Sequence, residues 1–413
     1  MTVRPEAGVT MPSAGSMLEE ARRRDDVDPL AEYAREFATE GAIHLNGNSL
    51  GPPRGSLAAE LDRVVSGQWA PRQVQAWFQD GWLDLPRTVG DKLGILLGAG
   101  PGQVLVAGET TSTTLFNALT AACRLRPDRP VLLIEAESFP TDSYIADSVA
   151  KLLDRELVVE TRTGFDEYLR DNGTRVAVAL AAPVDFRTGE RREIRPVTAL
   201  CHAVGALSVW DLSHATGVLP VDLDANAVDL AVGCGYKYLG GGPGAPAFTY
   251  VPIRLQSTVD FPLAGWHGHA KPFAMAPTFI PADDIDRART GTPPLLSLVG
   301  LNHALAPLVE VGIHELHRRS KELSGFFLEC LANRSPELLA QLASPEDADR
   351  RGGHLALRVP QADKVESTLA DGGVLVDARP PDLIRFAFAP LYVTHEQVSR
   401  AVEVLCRAVE GVS

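Results

Sequence analysis

Short apolar runs and amphipathic segments alternate through the middle of the chain, from about residue 104 to residue 250. The apolar runs, each about as long as one buried strand, are "QVLVAG", "PVLLIEA", "VAVALAA", "ALSVWDL", "VDLAVGC" and "APAFTYV". Segments with helical spacing of apolar residues lie between or before them, at 55–66, 86–98, 112–125, 141–154 and 195–204. Because buried parallel strands are apolar throughout and helices connect them, this alternation predicts an α/β domain with a mainly parallel sheet.

After about residue 295 the pattern changes. A long helical stretch at 297–331 leads to two runs typical of strands, "HLALRVP" and "VLVDARPPDLIRFAFAP". A final helix is predicted near 394–409, where Thr394 and Gln397 have the spacing of a capping box.

These changes divide the chain into predicted parts. The parts are a loose tail at 1–16, an N-terminal segment at 17–50, a large domain at 51–295 and a small α+β domain at 296–413. The segment at 17–50 could pack on either domain.

Composition and charge narrow the classes of function. The chain has 413 residues and a formal net charge of −14, and no basic run stands out, so nucleic acid and anionic membrane surfaces are not expected partners. The apolar stretches are about 7–10 residues long, which is too short to span a bilayer. Five scattered cysteines form no CxxC pair, and no metal-ligand spacing stands out. We therefore predict a reduced, cytoplasmic protein without a metal site.

One of the six lysines stands apart from the others. Lys237 directly follows an apolar run, between Tyr236 and Tyr238 and before the glycines of "GGGPGAP". Ligands of open parallel sheets bind beyond the carboxyl ends of the strands, so this position is a candidate for chemistry. A lysine in a crowded, partly desolvated pocket can lose its proton and form a Schiff base. The alternative is a lysine that extends its ammonium group into water at the edge of the sheet.

Asp211 and His214 follow the neighbouring run, "ALSVWD". A carboxylate at a strand end can cap a helix. It can also pair with the protonated ring nitrogen of pyridoxal phosphate, which makes the ring an electron sink. His214 could cover or tether such a ring, or could be an ordinary structural histidine. An Asp, a His and a Lys at neighbouring strand ends together favour the cofactor site.

A run of hydroxyl residues begins the helical segment after the first strand. In "GETTSTTLFNALTAA", Gly108 precedes Thr110, Thr111 and Ser112. Hydroxyls and free N–H groups at a helix N-terminus bind anions, although Ser and Thr also cap helices without any ligand. The chain has no GxGxxG and no P-loop sequence, so the usual dinucleotide and nucleoside-triphosphate loops are missing.

The apolar pattern of the sequence allows two roles each for Phe139 and Arg385. Phe139 follows "PVLLIEAES", where it could stack on a cofactor ring or belong to the core. Arg385 lies in the apolar run "PPDLIRFAFAP" and needs an anionic partner there. That partner could be a buried Asp or Glu, or the carboxylate of a substrate, which a guanidinium binds in bidentate geometry.

Taken together, these residues resemble the kynureninase family of pyridoxal-phosphate enzymes, which is related to class V aminotransferases and has fold type I. The resemblance covers about residues 40–400, with several motifs in the same order. They are "LNGNSLGPPR" at 45–54, "FPTD" at 139–142, "WDLSHATG" at 210–217, "GYKYLGGGPGAPAF" at 235–248, "LAGWHGHAKPFAM" at 263–275, "RTGTPPLLSL" at 289–298 and "IRFAFAPLY" at 384–392. The resemblance implies a mostly parallel seven-stranded sheet, a smaller α+β C-terminal domain, and a homodimer with active sites at its interface.

The resemblance also implies roles around the cofactor, pyridoxal 5′-phosphate. Lys237 would form the Schiff base, Asp211 would pair with the ring nitrogen, and His214 would lie beside it. Phe139 would stack on the ring, while Tyr236 would contact the phosphate and relay a proton. The other implied cofactor contacts are Thr111, Ser112, Thr141 and Asp142 in the same chain, and Trp266 and Thr292 from the neighbouring subunit.

For the substrate, the resemblance implies that Arg385 binds the α-carboxylate. Trp77, Asn48 and Ser49 fall where the family builds its aryl pocket, and Gly291 is a further implied substrate contact. His267 departs from the family pattern, because an aromatic hydrocarbon side chain is expected at that position. The implied reaction is hydrolytic Cβ–Cγ cleavage of L-kynurenine, or of a ring-substituted kynurenine, to an anthranilate and L-alanine.

Other functions remain open from the sequence. Another fold type I enzyme, such as an aminotransferase or a cysteine desulfurase-like lyase, would use the same cofactor residues. A desulfurase needs a mobile thiol on a loop of the small domain, whereas Cys330 and Cys406 fall in helical patterns. A cofactor-binding regulator would need a basic DNA-binding module, for which the acidic chain leaves little room.

Overall fold

A computed structural model of the protein describes residues 14–412, and a seven-stranded sheet forms its centre. The strands along the chain are β1 (Ile43–His44), β2 (Val104–Gly108), β3 (Val131–Glu135), β4 (Glu156–Glu160), β5 (Val176–Ala181), β6 (Leu207–Asp211), β7 (Leu230–Gly233), β8 (Ala247–Tyr250), β9 (His354–Arg358), β10 (Val374–Leu375), β11 (Asp377–Arg379) and β12 (Leu383–Ala387). The central sheet has the order β2-β8-β7-β6-β5-β3-β4. Strands β3 to β7 pair in parallel, and β8 runs antiparallel to both of its neighbours. The predicted mainly parallel α/β sheet is confirmed.

Helices cover both faces of this sheet. The α-helices are α1 (Ala14–Val27), α2 (Leu57–Val64), α3 (Ala70–Arg72), α4 (Ala76–Gln79), α5 (Leu85–Leu97), α6 (Thr111–Arg124), α7 (Pro140–Leu152), α8 (Arg162–Asn172), α9 (Ile194–Val204), α10 (Ile253–Gln256), α11 (Leu295–Val311), α12 (Ile313–Arg334), α13 (Pro336–Leu339), α14 (Ala362–Asp371) and α15 (His395–Val412). One apolar core forms between the sheet and α5, α8, α9 and α11, and another between the sheet and α6 and α7. Two covered faces explain why the central strands are apolar along their whole length.

The pattern of the sequence did not reveal strand β4 or helix α8. Strand β4 lies at the edge of the sheet and its residues are half-buried or exposed, so "ELVVE" has no continuous apolar run. Helix α8 is rich in charged residues and buries Phe165 and Leu169. An edge strand and its helix bury less apolar surface than central elements do, and the periodic signal is weaker for that reason.

The long helical stretch predicted at 297–331 is two helices. Gly312 separates α11 from α12 with φ +81°, and the two helix axes are bent by 85°. Glycine adopts this left-handed backbone region without strain, so it can end one helix and start another in a new direction. Helix α11 packs against α5 in the core of the large domain. We therefore propose that the boundary predicted at 295/296 lies at Gly312.

The small domain contains a three-stranded antiparallel sheet of order β11-β12-β9, packed against α12, α14 and α15. The predicted capping box at the start of α15 is present. Thr394 N donates to Gln397 Oε1 at 3.1 Å, and Gln397 N donates to Thr394 Oγ1 at 3.2 Å.

The N-terminal segment packs on this small domain. Helix α1 lies against α15, and β1 pairs in parallel with β10. Residues 1–13 of the predicted loose tail lie outside the described residues, and the helix α1 begins at Ala14.

Within residues 14–412, no single helix is long and apolar enough to cross a membrane, although α11 and α12 taken together have the length and composition of a broken span.

Candidate active site

A cavity of about 240 Å³ lies beyond the carboxyl ends of the central strands. Strand β6 ends at Asp211, and Lys237 follows the end of β7, so neighbouring parallel strands deliver both side chains to the same edge. The cavity is lined by eight of the residues proposed from the sequence, namely Thr111, Ser112, Phe139, Thr141, Asp142, Asp211, Tyr236 and Lys237. The location agrees with the rule for open parallel sheets.

Lys237 contacts a buried histidine at this edge. Its Nζ lies 2.9 Å from Nε2 of His214, and 5.7 Å and 5.9 Å from the ring centroids of Phe139 and Tyr236. Burial lowers the pKa of His214 well below its usual range, and the positive charges of Lys237 and Arg385 lower it further. His214 is therefore neutral at physiological pH and can accept a hydrogen bond from the Lys237 ammonium group.

Two buried carboxyl groups line the same cavity as Lys237. Asp211 Oδ1 accepts from Ser213 N at 2.9 Å and from Ser213 Oγ at 2.6 Å. Asp142 is 1% exposed, and its Oδ2 has no hydrogen-bond partner among the described residues. Burial raises the pKa of Asp142, and the neighbouring Asp211 raises it further. Asp142 is therefore the carboxyl group of the pair that favours the protonated form.

The N-terminus of α6 forms one wall of the cavity. Thr110 caps the helix, because its Oγ1 accepts from Thr113 N at 3.2 Å. Thr111 and Ser112 line the cavity, at positions where helix N–H groups have no partner within the helix. The capping role predicted for this hydroxyl run is thus seen at Thr110, and the free donors at Thr111 and Ser112 suit the anion site that the sequence predicts.

Pyridoxal phosphate fits this set of residues. The ring nitrogen would lie by the negative pair of Asp211 and Asp142, the phosphate by the N-terminus of α6, and the aldehyde carbon by Lys237. Phe139 is a wall of the cavity rather than core, since it is 38% exposed and packs edge-on against Phe186 at 5.2 Å. Burial raises the pKa of Tyr236, so its hydroxyl retains its proton as a hydrogen-bond donor.

The proposed substrate residue Arg385 has a buried acid as its partner here. It is fully buried, and its Nη2 lies 2.9 Å from Asp377 Oδ2. Arg385 also donates to Ser49 Oγ at 3.2 Å and to the carbonyl oxygen of Phe186. In the amide orientation that pairs its oxygen with donors, Asn48 accepts from Arg385 Nε at 3.1 Å. Asn48 and Ser49 thus lie with Arg385, whereas the sequence placed them with Trp77 in the aryl pocket, and a carboxylate would have to replace one of these acceptors.

Five further predicted residues do not line the Lys237 cavity within one chain, namely Trp77, Trp266, His267, Gly291 and Thr292. Trp266 packs on His267, with ring centroids 3.9 Å apart, and Trp77 packs edge-on against Trp82 at 5.5 Å. His267 is buried, and burial followed by the charge of Arg289 lowers its pKa to about 4.

Gly291 and Thr292 line a second cavity of about 710 Å³. This second cavity adjoins the first, because Glu109 and Gly244 line both. The two cavities therefore meet next to the N-terminus of α6.

Several polar residues at the site were not recognised from the sequence. Asp377 binds Arg385, and Arg379 Nη1 lies 2.7 Å from Asp377 Oδ1. His354, the first residue of β9, is fully buried with its ring centroid 5.9 Å from that of His214. Asp377 lies directly opposite Arg385 in the small sheet, so strand pairing was the signal that could have found it.

The cysteines do not supply a mobile thiol. Cys330 lies in α12 and Cys406 in α15, and both are buried. Burial raises the pKa of Cys330 to about 12 and also raises that of Cys406, so both thiols keep their protons. The expectation that these cysteines are helix residues, which disfavours desulfurase chemistry, is confirmed.

Comparison with known proteins identifies the family of the chain. Residues 316–405 match the family model of the kynureninase C-terminal domain. The chain is 41% identical over 384 residues to a kynureninase of Deinococcus radiodurans, covering 92% of this chain and 93% of that one. It is 37% identical over 386 residues to a kynureninase of Pseudomonas fluorescens, covering 92% of each. It is 38% identical over 395 residues to a kynureninase of Burkholderia pseudomallei, covering 94% of each.

Solved structures share the fold. A cysteine desulfurase of Thermococcus onnurineus superimposes with a TM-score of 0.77 at 17% identity, covering 92% of this chain and 98% of that one. A C-DES mutant with glycine covalently linked to its PLP cofactor gives a TM-score of 0.74 at 14% identity, covering 89% of this chain and 96% of that one. At these identities the likeness concerns the fold, and it confirms the predicted fold type I architecture.

Proposed function

This chain belongs to the kynureninase family, and from that premise we propose that it uses pyridoxal 5′-phosphate to cleave L-kynurenine, or a ring-substituted kynurenine, hydrolytically. The products would be an anthranilate and L-alanine. The observation that carries the proposal is the cavity where Lys237 faces the Asp211–Asp142 pair, next to the N-terminus of α6. Kynureninases that are 37–41% identical to this chain support the choice of substrate.

The residues that line the cavity have separate roles in the proposed reaction. When bound, pyridoxal phosphate supplies an aldehyde that condenses with amines and a protonated ring that takes up electrons from the substrate. Lys237 Nζ would be the amine that holds the cofactor and, when free, the base that removes the Cα proton. Asp211 would favour a protonated ring nitrogen through its negative charge, and Phe139 would cover the ring.

Water adds to the γ-carbonyl carbon of the substrate, and the Cβ–Cγ bond then breaks. The oxygen of water ends in the carboxylate of the anthranilate, and a proton is delivered to Cβ to make the methyl group of alanine. The Tyr236 hydroxyl retains its proton, because burial raises its pKa, and it is placed to pass a proton at this step. Arg385, with Asn48 and Ser49, would bind the α-carboxylate at the face of the small domain.

A substrate panel tests the proposed function directly. We expect the purified holoenzyme to cleave at least one of L-kynurenine, 3-hydroxykynurenine and ring-methylated kynurenines, as measured by kcat/KM. The His267→Phe variant should change the ranking among these substrates, since His267 is where the family pattern has an aromatic hydrocarbon. Intact bound cofactor with no cleavage of any panel member would contradict the kynureninase function. Transamination of a keto acid under the same conditions would then identify an aminotransferase.

We propose that the protein is a homodimer whose active sites lie at the subunit interface. One surface exposes an aromatic cluster in which Phe78 is 58%, Trp266 41% and Phe273 52% exposed. The rings of Phe78 and Phe273 are 5.5 Å apart, and those of Trp266 and Phe273 are 5.8 Å apart. A contiguous exposed apolar surface of this kind is typical of a protein–protein interface. A partner subunit there would cover the cluster and could bring Trp266 and Thr292 to the phosphate.

Mixed dimers test this arrangement. If Trp266 acts across the interface, each active site combines Lys237 of one subunit with Trp266 of the other. Lys237→Ala and Trp266→Ala then remove residues that different subunits contribute to the same site. Exchanging subunits of the two variants should restore about a quarter of wild-type activity, because half of randomly formed dimers are mixed and each has one intact site. The measurement is activity after subunit exchange, with sedimentation velocity to give the mass. A monomer by sedimentation, or no recovery on mixing, would contradict the proposal.

We also infer that the protein works in the cytoplasm. All five cysteines are free and buried, which suits a reducing compartment.

A further inference from the structure

His354 is buried without a polar partner next to the candidate active site. It is fully buried, and neither of its ring nitrogens has a hydrogen-bond partner among the described residues. The same holds for Nδ1 of His214. Buried polar groups in proteins are almost always paired with protein atoms or with ordered water. Three unpaired nitrogens on two neighbouring rings therefore indicate that something joins them.

Strand pairing aims His354 at the active site. In the β9–β12 ladder, His354 lies opposite Ala387, and Ala356 lies opposite Arg385. Paired residues project to the same face, and alternate residues of one strand share a face, so His354 and Arg385 point the same way. That face looks toward the large domain, because Arg385 donates to the carbonyl oxygen of Phe186.

Gly189 allows the large domain to approach His354 closely. Its φ is +74°, and a Cβ there would lie 3.3 Å from both Cδ2 and Nε2 of the His354 ring and closer still to the His354 carbonyl oxygen. The rings of His354 and His214 are inclined by 55° with centroids 5.9 Å apart. His214 of the large domain thus contacts Lys237 and also lies next to His354 of the small domain.

The contact with Lys237 determines which nitrogen of His214 carries its proton. Before Lys237 condenses with the cofactor its Nζ carries N–H donors, and we take Nε2 of His214, 2.9 Å away, as their acceptor. His214 is neutral, since burial and the charges of Lys237, Arg385 and Arg379 all oppose its protonation. A neutral imidazole has one N–H, which here must be on Nδ1, the nitrogen without a partner.

We propose that His354 is a positioning residue that fixes His214 as the Nδ1–H tautomer, through one water that bridges the two rings. The water would accept from His214 Nδ1 and donate to His354, which leaves His214 Nε2 as the acceptor that orients Lys237. No direct hydrogen bond joins the rings, and a buried water needs two to four polar partners of the kind these rings offer. A partner on the far nitrogen of a histidine is the usual means of fixing its tautomer. The inference rests on the role proposed for Lys237.

The tautomer of His214 can be measured directly by NMR spectroscopy. The full chain is labelled with ¹⁵N-histidine, and two-bond ¹H–¹⁵N spectra are recorded with and without pyridoxal phosphate. Signals from the ten histidines are assigned by comparing wild type with His214→Gln and His354→Gln. We expect a neutral His214 with its proton on Nδ1 in wild type. In His354→Leu, which keeps the volume and removes both nitrogens, we expect His214 to populate both tautomers.

Two variants separate positioning from packing. His354→Gln retains a donor and an acceptor, so it should keep the wild-type tautomer of His214 and much of the activity. His354→Leu should lose roughly 10–100-fold in kcat, as is typical when an outer-shell partner is removed. The pH titration of the visible absorbance of the bound cofactor should shift in His354→Leu and remain near wild type in His354→Gln.

A proton on Nε2 of His214 in the wild-type protein would overturn the proposal, as would an unchanged tautomer and cofactor titration in His354→Leu. If His354→Leu does not fold, the wild-type spectrum and His354→Gln still decide. If wild type cleaves no kynurenine but His214 shows the expected tautomer, the proposed function fails and the positioning role stands.

Discussion

Replacing Lys237 with alanine is expected to reduce kcat/KM for kynurenine by more than about 10⁴-fold. A single general acid–base step contributes about 10²–10⁴-fold, and Lys237 is proposed to supply both the amine that holds the cofactor and the base that removes the Cα proton. Its Nζ lies at the cavity, 2.9 Å from His214 Nε2 and 5.7 Å from the ring centroid of Phe139. A loss of 10⁴-fold corresponds to about 5.4 kcal/mol of transition-state stabilisation.

The measurement for Lys237→Ala combines kinetics with borohydride reduction. Borohydride should attach the cofactor covalently to wild type, as seen by mass spectrometry, and should leave the variant unlabelled. Lys151→Ala is the matched control, since Lys151 is an exposed lysine whose ion pair with Asp147 is on the surface of α7. Near-wild-type turnover in Lys237→Ala would refute the assignment of the site.

Replacing Asp211 with asparagine is expected to reduce kcat by about 10²–10⁴-fold. Asparagine has the shape of aspartate and can accept from Ser213, but it carries no charge to keep a ring nitrogen protonated. Removing one charge from a buried ion pair, here the Asp211 carboxylate with the protonated ring nitrogen, costs about 3–5 kcal/mol. Each 1.36 kcal/mol of transition-state stabilisation corresponds to about a tenfold change in rate. The cofactor should therefore remain bound while the electron-accepting step fails.

Two further substitutions sharpen the test of Asp211. Asp142→Asn should lose much less activity, since the Asp142 carboxyl is already protonated: burial and Asp211 raise its pKa. Asp147→Asn is the surface control, because Asp147 lies on the exposed face of α7, the helix that also carries Asp142. The measurement is single-turnover kinetics together with the absorbance of the bound cofactor. Equal losses in Asp211→Asn and Asp142→Asn would show that the charge is not located on Asp211.

Strand ends were predictable because apolar runs show where strands stop. Lys237 and Asp211 each follow such a run, and parallel pairing of β6 with β7 necessarily places both at one edge. The hydroxyl run at Thr111 and Ser112 was recognised for a similar reason, since it starts a helix directly after a strand. Local pattern and one topological rule were sufficient for this half of the site.

The other half depends on the register of strand pairing and on the docking of the small domain, which apolar spacing along the chain does not specify. Asp377 lies opposite Arg385 through an antiparallel register, so the sequence could name a buried acid as the partner of Arg385 without saying which one. His354 reaches the site through the docking of the small domain on the turn at Gly189. The break at Gly312 was missed because apolar spacing continues on both sides of that glycine.

The pairing of β1 with β10 has a consequence for how specificity could evolve or be engineered. It fastens the stretch that carries Asn48 and Ser49 to the same body as Arg385, by backbone bonds from Ile43 and Leu45 to Gly373 and Leu375. Asn48, Ser49 and Arg385 therefore belong to one body that would recognise one end of a ligand, and the Arg385 bond to the carbonyl oxygen of Phe186 ties that body to the large domain. A change in the orientation of this body relative to the sheet that holds Lys237 would change the length of ligand that fits between Arg385 and Lys237. Substitutions within the body would instead change which head group is accepted.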